Sequence, residues 1–363
     1  MIVVAKIGTS SLTDATGHIR LDAVAKLCAE VATVRAAGHQ VVVVSSGAVG
    51  AGLPAMGFLH ERPRDILTLQ ALSAVGQSRL MAVYNDALAV HGLVGGQLLL
   101  TPYDFYERSQ YLHARGTLSR LLELGAVPII NENDAIADDE IRFGDNDRIA
   151  ALVAQLLDAD LLVLLTDTPG LLTADPRRDP GAALVEEISE VTPDLERLAG
   201  GAGSDRGSGG MASKLQAAKM AAWSGISTVI GSAERPDLLL DAVNGVPGTG
   251  TRVVPAARRL PARKLWIAFA LEPRGRLTLD EGAVRAVVAH GRSLLAVGVK
   301  SVVGEFERRE PVEVCGPDGA VVARGLAAVS SSELRGILGQ RTGSHPEGTP
   351  DEVIHRDELV ILS

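Results

Sequence analysis

Lysine, cysteine and aromatic residues are scarce in this 363-residue chain: 6 Lys stand against 29 Arg, there are 2 Cys, and aromatics make up 3%. Two cysteines, Cys28 and Cys315, cannot build a disulfide scaffold or a cysteine-based zinc site. The histidines form no HxxxH or HExxH spacing, so a catalytic zinc site has no support either. No apolar stretch runs unbroken for 18 residues, which disfavours a membrane-spanning helix. The opening MIVVAKIG turns polar too soon for a signal peptide and reads as a first strand. With so few cysteines, the expectation is a reducing cytoplasm. An excess of positive charge is also missing. The formal net charge is -9, with -8 carried by residues 1–260 and -1 by residues 261–363. Neither part has the field of a dedicated nucleic-acid binder.

Hydrophobic residues make up 46% of the chain and charged residues 22%, a globular composition. Apolar runs suited to buried parallel strands occur at 2–7, 41–47 (VVVVSSG), 93–101, 127–131, 161–167 (LLVLLTD) and 227–231. Helical patterns lie between them at 21–37, 66–90, 113–124, 147–158 and 211–224. This alternation predicts an α/β domain with helices on both faces of a mainly parallel open sheet, a three-layer αβα arrangement. After Gly250 the pattern changes. TRVVPAARRLPARK (251–264) is rich in Pro and Arg and reads as a linker. Beyond it, LWIAFA, GRLTLD, LLAVG, PVEVC, AVVARG and LVIL suggest a small, mostly β, barrel-like domain with one helix near 280–290. The expected division is a first domain over 1–256, a connection over 257–263 and a second domain over 264–363.

In open α/β sheets, ligands bind beyond the carboxyl ends of the strands. Here KIGTSS, SSGAVGAG, NENDAIADDEIRFGDND and TDTPGLLTADP follow strands directly, and GAGSDRGSGGMASK opens onto a helix. Glycine permits the close backbone approach that phosphates need. Neither GxGxxG nor GxxxxGK[ST] is present, so a nucleotide would be held in another way. Lys6 is a cation in an otherwise apolar strand, costly unless it pairs with an anion or reaches solvent at the sheet end. Lys214 stands near a helix start, where a cation opposes the dipole; it is either a surface lysine or the partner of a phosphate. The acidic run around FGDND precedes a helix that Asp145 or Asn146 is suited to cap. Paired carboxylates there suit an amine or a magnesium ion.

Taken together, KIGTSSL, VVVVSSGAV, LLTPYDF, VPIINENDA, FGDNDRIAA, LLTDTPGLLTADP and GSGGMASKLQAA resemble the amino-acid kinase family, and the tail from about 262 resembles a PUA domain. The resemblance implies phosphoryl transfer from ATP to the side-chain carboxylate of L-glutamate, giving L-glutamyl 5-phosphate at the entry to proline synthesis. By that resemblance Lys6, Lys214 and Asp145 are catalytic, and Ser46, Asp134, Asn146 and Asp147 bind the substrate. Lys6, Gly8, Thr166, Asp167, Ser208, Gly209, Gly210, Met211, Ala212, Ser213 and Lys214 meet ATP. Mg2+ is implied as a cofactor with its ligands open, Asp145 and Asp147 being candidates. A homo-oligomer and feedback inhibition by L-proline are also implied. Two rivals remain: a related carboxylate kinase, such as one acting on N-acetylglutamate, and an RNA-binding protein acting through the PUA-like tail. A free-amine requirement would separate the first, and the weak positive charge of the tail opposes the second.

Overall fold

A computed structural model describes the chain except for residues 15, 59–62, 106, 137–145, 176–178, 180, 200–209, 258, 271–272, 341–342, 347 and 363. It divides into two compact units, Met1–Arg259 and Leu260–Ser363.

The first unit runs β1 (Ile2–Ile7), α1 (Thr9–Leu12), α2 (Leu21–Ala36), β2 (Gln40–Val44), α3 (Ala48–Ala55), α4 (Ile66–Ala89), β3 (Gly95–Leu100), α5 (Arg108–Glu123), β4 (Val127–Glu132), α6 (Asn146–Leu156), β5 (Leu161–Thr166), β6 (Glu187–Ile188), α7 (Pro193–Ala199), α8 (Met211–Trp223), β7 (Ser227–Ser232), α9 (Leu238–Asn244) and β8 (Thr251–Val253). The strands form one eight-stranded sheet in the order β3-β4-β2-β1-β5-β7-β8-β6. All neighbours are parallel except β7 and β8. Thr251–Val253, read from the sequence as the start of a linker, is therefore a sheet strand. Its alternately buried residues, Thr251 and Val253, belong to a strand that pairs with β7 instead of leaving the domain.

β4 and β5 are buried along their whole length, as strands covered on both faces require. Alternation along β1 sends Val3, Ala5 and Ile7 into one core with Val24, Leu27 and Val31 of α2 and Leu238 and Leu239 of α9. Val4 and Lys6 consequently face the other side, where β1 packs on α6. Lys6 is thus lysine on a core face, and only 3% of it is exposed.

The glycine-containing segment after β2 forms α3. Gly47 begins it at φ +92°, a left-handed conformation that glycine adopts without strain. α3 then packs backbone to backbone on α4. A Cβ on Gly76 would lie 1.8 Å from the Ala48 carbonyl oxygen, and one on Gly52 would lie 2.1 Å from that of Leu72.

The second unit runs α10 (Ala262–Leu265), β9 (Gly275–Leu279), α11 (Glu281–Val288), β10 (Leu294–Leu295), β11 (Val299–Gly304), β12 (Pro311–Cys315), β13 (Val321–Leu326), α12 (Ser331–Ile337), β14 (Glu352–Ile354) and β15 (Leu359–Ile361). Five strands form a separate sheet in the order β11-β9-β12-β13-β15, and β10 pairs with β14. LWIAFA, expected as a strand, is helical instead: α10 continues into a π-helical turn over Trp266–Ala270. The run is uniformly apolar, and such runs do not distinguish a buried strand from a buried helix. Leu277, Val312, Val314, Ala323, Val353 and Leu359 are among the residues of a core of its own. α12 starts on a capping box, in which the Ser330 hydroxyl accepts from the Glu333 N–H and the Glu333 carboxylate accepts from the Ser330 N–H.

Candidate active site

The sheet order decides which polar ends meet. β1 lies between β2, followed by β4, on one side and β5, followed by β7, on the other. From β1 the chain crosses to β2 in one direction, and β5 joins β1 from the other. This is the kind of switch point at which open α/β sheets bind ligands. Register pairs Lys6 with Val44 of β2 and with Leu164 of β5. The ends of β1, β2, β4 and β5 therefore line up, carrying Lys6 and Gly8, Ser45 and Ser46, Asn131 and Glu132, and Thr166 and Asp167.

At the centre of this row two lysines share one carboxylate. Lys6 Nζ lies 2.6 Å from Asp147 Oδ1, a close ion pair, and Lys214 Nζ lies 3.2 Å from Asp147 Oδ2. The Ser213 hydroxyl donates to Asp147 Oδ2 at 2.7 Å and also to the Gly210 carbonyl at 2.9 Å. Asp147 stands in the first turn of α6, and Ser213 and Lys214 stand in the first turn or just after it in α8. α6 and α8 pack together. The carboxylate is thus held where helix dipoles favour negative charge. Burial alone would raise the Asp147 pKa; Lys6 first, then Lys214 and the Ser213 hydroxyl outweigh it, and the carboxyl is held down at about 2. The three charged side chains are almost completely buried. They carry a net charge of about +1, which suits a polyanion arriving at this point.

On the β2–β4 side, the Asn146 side-chain oxygen accepts from the Glu132 N–H at 3.2 Å, which ties α6 to the end of β4. Asn131 donates from Nδ2 to Gln77 Oε1 at 2.8 Å and accepts from the Glu132 N–H at 2.9 Å. Asp134 is buried and accepts from the Ser73 hydroxyl at 3.3 Å. Ser46 is buried and follows Ser45, whose hydroxyl pairs with the Tyr84 hydroxyl at 2.9 Å. Burial is the main cause that raises the Tyr84 phenol above its ordinary pKa, so it remains a neutral hydrogen-bonding group. On the β5 side, Thr166 is buried and its hydroxyl donates to the exposed Asp167 carboxylate at 3.1 Å. Gly8 follows β1, and a Cβ there would meet Lys6 Nζ at 3.6 Å, an ordinary contact. Gly210, Met211 and Ala212 open α8, with Gly210 as its N-cap.

Asp145, Ser208 and Gly209 lie outside the described residues. Among the described residues no three His, Cys, Asp or Glu side chains converge as a metal site. Asp147 has both oxygens engaged by cations and a hydroxyl. The structure brings Lys6, Asp147, Ser213 and Lys214 into direct contact and places Asn146 in the same helix turn as Asp147. Ser73, Gln77 and Tyr84 of α4 were not singled out by the sequence. The available signal was the buried stripe Leu72, Ser73, Gly76, Gln77, Leu80, Met81 and Tyr84, whose helical spacing contains three polar side chains.

The model of the amino acid kinase family matches residues 1–232, and that of the PUA domain matches residues 275–343. The chain belongs to the amino acid kinase family. It is 46% identical to the glutamate 5-kinase of Burkholderia multivorans over 365 aligned residues, covering 99% of this chain and 97% of that one. The glutamate 5-kinase of Burkholderia mallei is also 46% identical over 364 aligned residues, with the same coverage of each chain. The relationship thus extends through both units.

Proposed function

We propose that this kinase transfers the γ-phosphoryl group of ATP to the side-chain carboxylate of L-glutamate, giving L-glutamyl 5-phosphate, the first step of proline biosynthesis. The observation that carries this reading is the buried Lys6–Asp147–Lys214 cluster at the end of the central strand, with polar strand ends on either side. The near full-length likeness to glutamate 5-kinases supports the choice of substrate.

The chemistry asks little of a general base, because a carboxylate is already an anionic nucleophile. The difficulty is bringing it onto a polyphosphate. Lys6 is assigned to the transferring group and Lys214 to the β- and γ-phosphate oxygens, where fixed cations follow charge as it shifts between oxygens. Asp147 holds both ammonium groups aimed before ATP arrives, so little reorganisation is left for the reaction step. Asp134 takes the glutamate ammonium, and Ser46 and Asn146 take the carboxylate and remaining polar groups of the zwitterion. Gly8, Thr166, Asp167 and the segment Ser208–Lys214 are assigned to the nucleotide, and Asp145 to the neighbourhood of the transferring phosphoryl group.

Magnesium is proposed to enter with ATP. The described residues do not form a cradle for it: no three acidic, His or Cys side chains converge, and the Asp147 oxygens face Lys6, Lys214 and Ser213. The resemblance also supports a cytoplasmic homo-oligomer inhibited by L-proline. Light scattering tests the oligomer, and a proline titration of the activity tests the inhibition.

An ATP-dependent assay with glutamate, aspartate and N-acetylglutamate, with and without magnesium, tests the reading. Turnover of glutamate that needs magnesium is expected, with N-acetylglutamate rejected because its amine carries no charge. Preference for N-acetylglutamate would replace glutamate as the substrate.

A further inference from the structure

α4 presents polar groups to the strand ends from a stripe that is otherwise apolar or glycine. Ser73 and Gln77, one helical turn apart, are 3% and 7% exposed. Each bonds a different group of the candidate glutamate side. The Ser73 hydroxyl donates to Asp134 Oδ2 at 3.3 Å, and Gln77 Oε1 accepts from Asn131 Nδ2 at 2.8 Å. Asn131 in turn accepts from the Glu132 N–H, which also donates to Asn146. Gln77 thereby stands at one end of a buried chain of hydrogen bonds that runs through the end of β4 to the first turn of α6. These links lie within the first unit and use fully buried donors and acceptors, whose loss is costly.

The height of Ser73 and Gln77 against the strand ends is fixed by the backbone contact of α4 with α3. Gly76 lies between them in sequence and touches the carbonyl of Ala48, the first residue of α3, which follows Ser45, Ser46 and Gly47. One helix thus sets the spacing between the β2 end, the β4 end and Asp134.

We infer that Ser73 and Gln77 are positioning residues for the glutamate side: Ser73 orients the Asp134 carboxylate toward the substrate ammonium, and Gln77 orients Asn131 and, through Glu132, Asn146. The inference rests on the proposed glutamate kinase reading. Their hydrogen bonds among the described residues go to Asp134 and Asn131, not to the lysine cluster or the end of β5, so the effect is expected on one substrate.

The test is steady-state kinetics of Ser73→Ala, Ser73→Thr and Gln77→Met in the full chain, with thermal melts to confirm folding. A hydrogen bond to a charged group corresponds to about a tenfold change in binding. Ser73→Ala is expected to raise the glutamate KM about tenfold while the ATP KM stays within about twofold of the parent. Ser73→Thr, which keeps the hydroxyl, is expected to recover most of the loss. Gln77→Met keeps the side-chain length without the amide and is expected to raise the glutamate KM by a similar factor. Equal rises in both KM values, or no rise in either, with a melting temperature near the parent's would overturn the inference and leave the kinase reading intact. A folded parent that consumes no ATP with glutamate would overturn the reading itself and this inference with it.

Discussion

Lys6 and Asp147, 141 positions apart in the chain, form an ion pair of 2.6 Å with side chains 4% and 1% exposed. Lys214 closes on the same carboxylate from a different helix. Charges buried this deeply are costly to desolvate, and a buried ion pair gives back little net stability over an apolar replacement. The arrangement is understood better as preorganisation: Asp147 keeps two ammonium groups close together until phosphate oxygens compete for them.

Replacing Lys6 with Ala removes a charged donor aimed at the transferring group. The expected loss is about 3 kcal/mol of transition-state binding, roughly 100-fold in kcat. Single-turnover rates on protein of confirmed fold check this. Activity within about threefold of the parent would exclude the role.

Asp134→Asn keeps the shape and removes the charge opposite the substrate ammonium. The glutamate KM is expected to rise by about tenfold or more with the ATP KM nearly unchanged. Initial-rate kinetics with each substrate varied in turn decide the point. Equal changes would place Asp134 elsewhere.

The Asp147 carboxyl has a lower proton affinity in the folded protein than in the unfolded chain, about 2 against an ordinary value of 3.8. The unfolded chain therefore takes up the proton first as pH falls. The contribution is complete above about pH 5 and fades between about pH 4 and pH 2, amounting to about 2 kcal/mol. Urea unfolding at stepped pH would show this slope in the parent and a weaker one in Asp147→Asn. That variant removes the carboxylate that both buried ammonium groups share, and it is expected to lose about 3–5 kcal/mol at neutral pH.

Gly76→Ala places a methyl group against the Ala48 carbonyl. Overpacking of this kind costs about 1–3 kcal/mol, and more if the backbone cannot yield. A lowered melting temperature with a raised glutamate KM is expected, since Ser73 and Gln77 flank this contact. Gly57→Ala, which has open space around it but a positive φ of 80°, is expected to show only the smaller cost of backbone strain.

The parallel sheet was legible because its central strands are unbroken apolar runs and glycine ends the helices between them. Lys6 stood out for the same reason: a lone cation in such a run needs an anion. The partnership of Lys6 with Lys214 through Asp147 was not legible, because it depends on α6 and α8 packing side by side, a contact between segments about 65 residues apart. By resemblance Asp147 was grouped with the substrate ligands, and only the folded chain places it between the lysines. α3 is not legible in the sequence because its glycines signal a turn locally, whereas their use is close helix contact. Ser73 and Gln77 look like ordinary polar residues of an amphipathic helix until the burial of α4 puts them on its inner stripe. β8 was hidden by the prolines that follow it, and the helical Trp266–Ala270 by an apolar run that fits either conformation.

The most direct test is a structure of the full chain with glutamate and a non-hydrolysable ATP analogue. Lys6 Nζ and Lys214 Nζ are expected within about 3 Å of phosphate oxygens, on either side of the γ-phosphoryl group. A closed, fully liganded site with both ammonium groups remote from the phosphates would contradict the proposed chemistry.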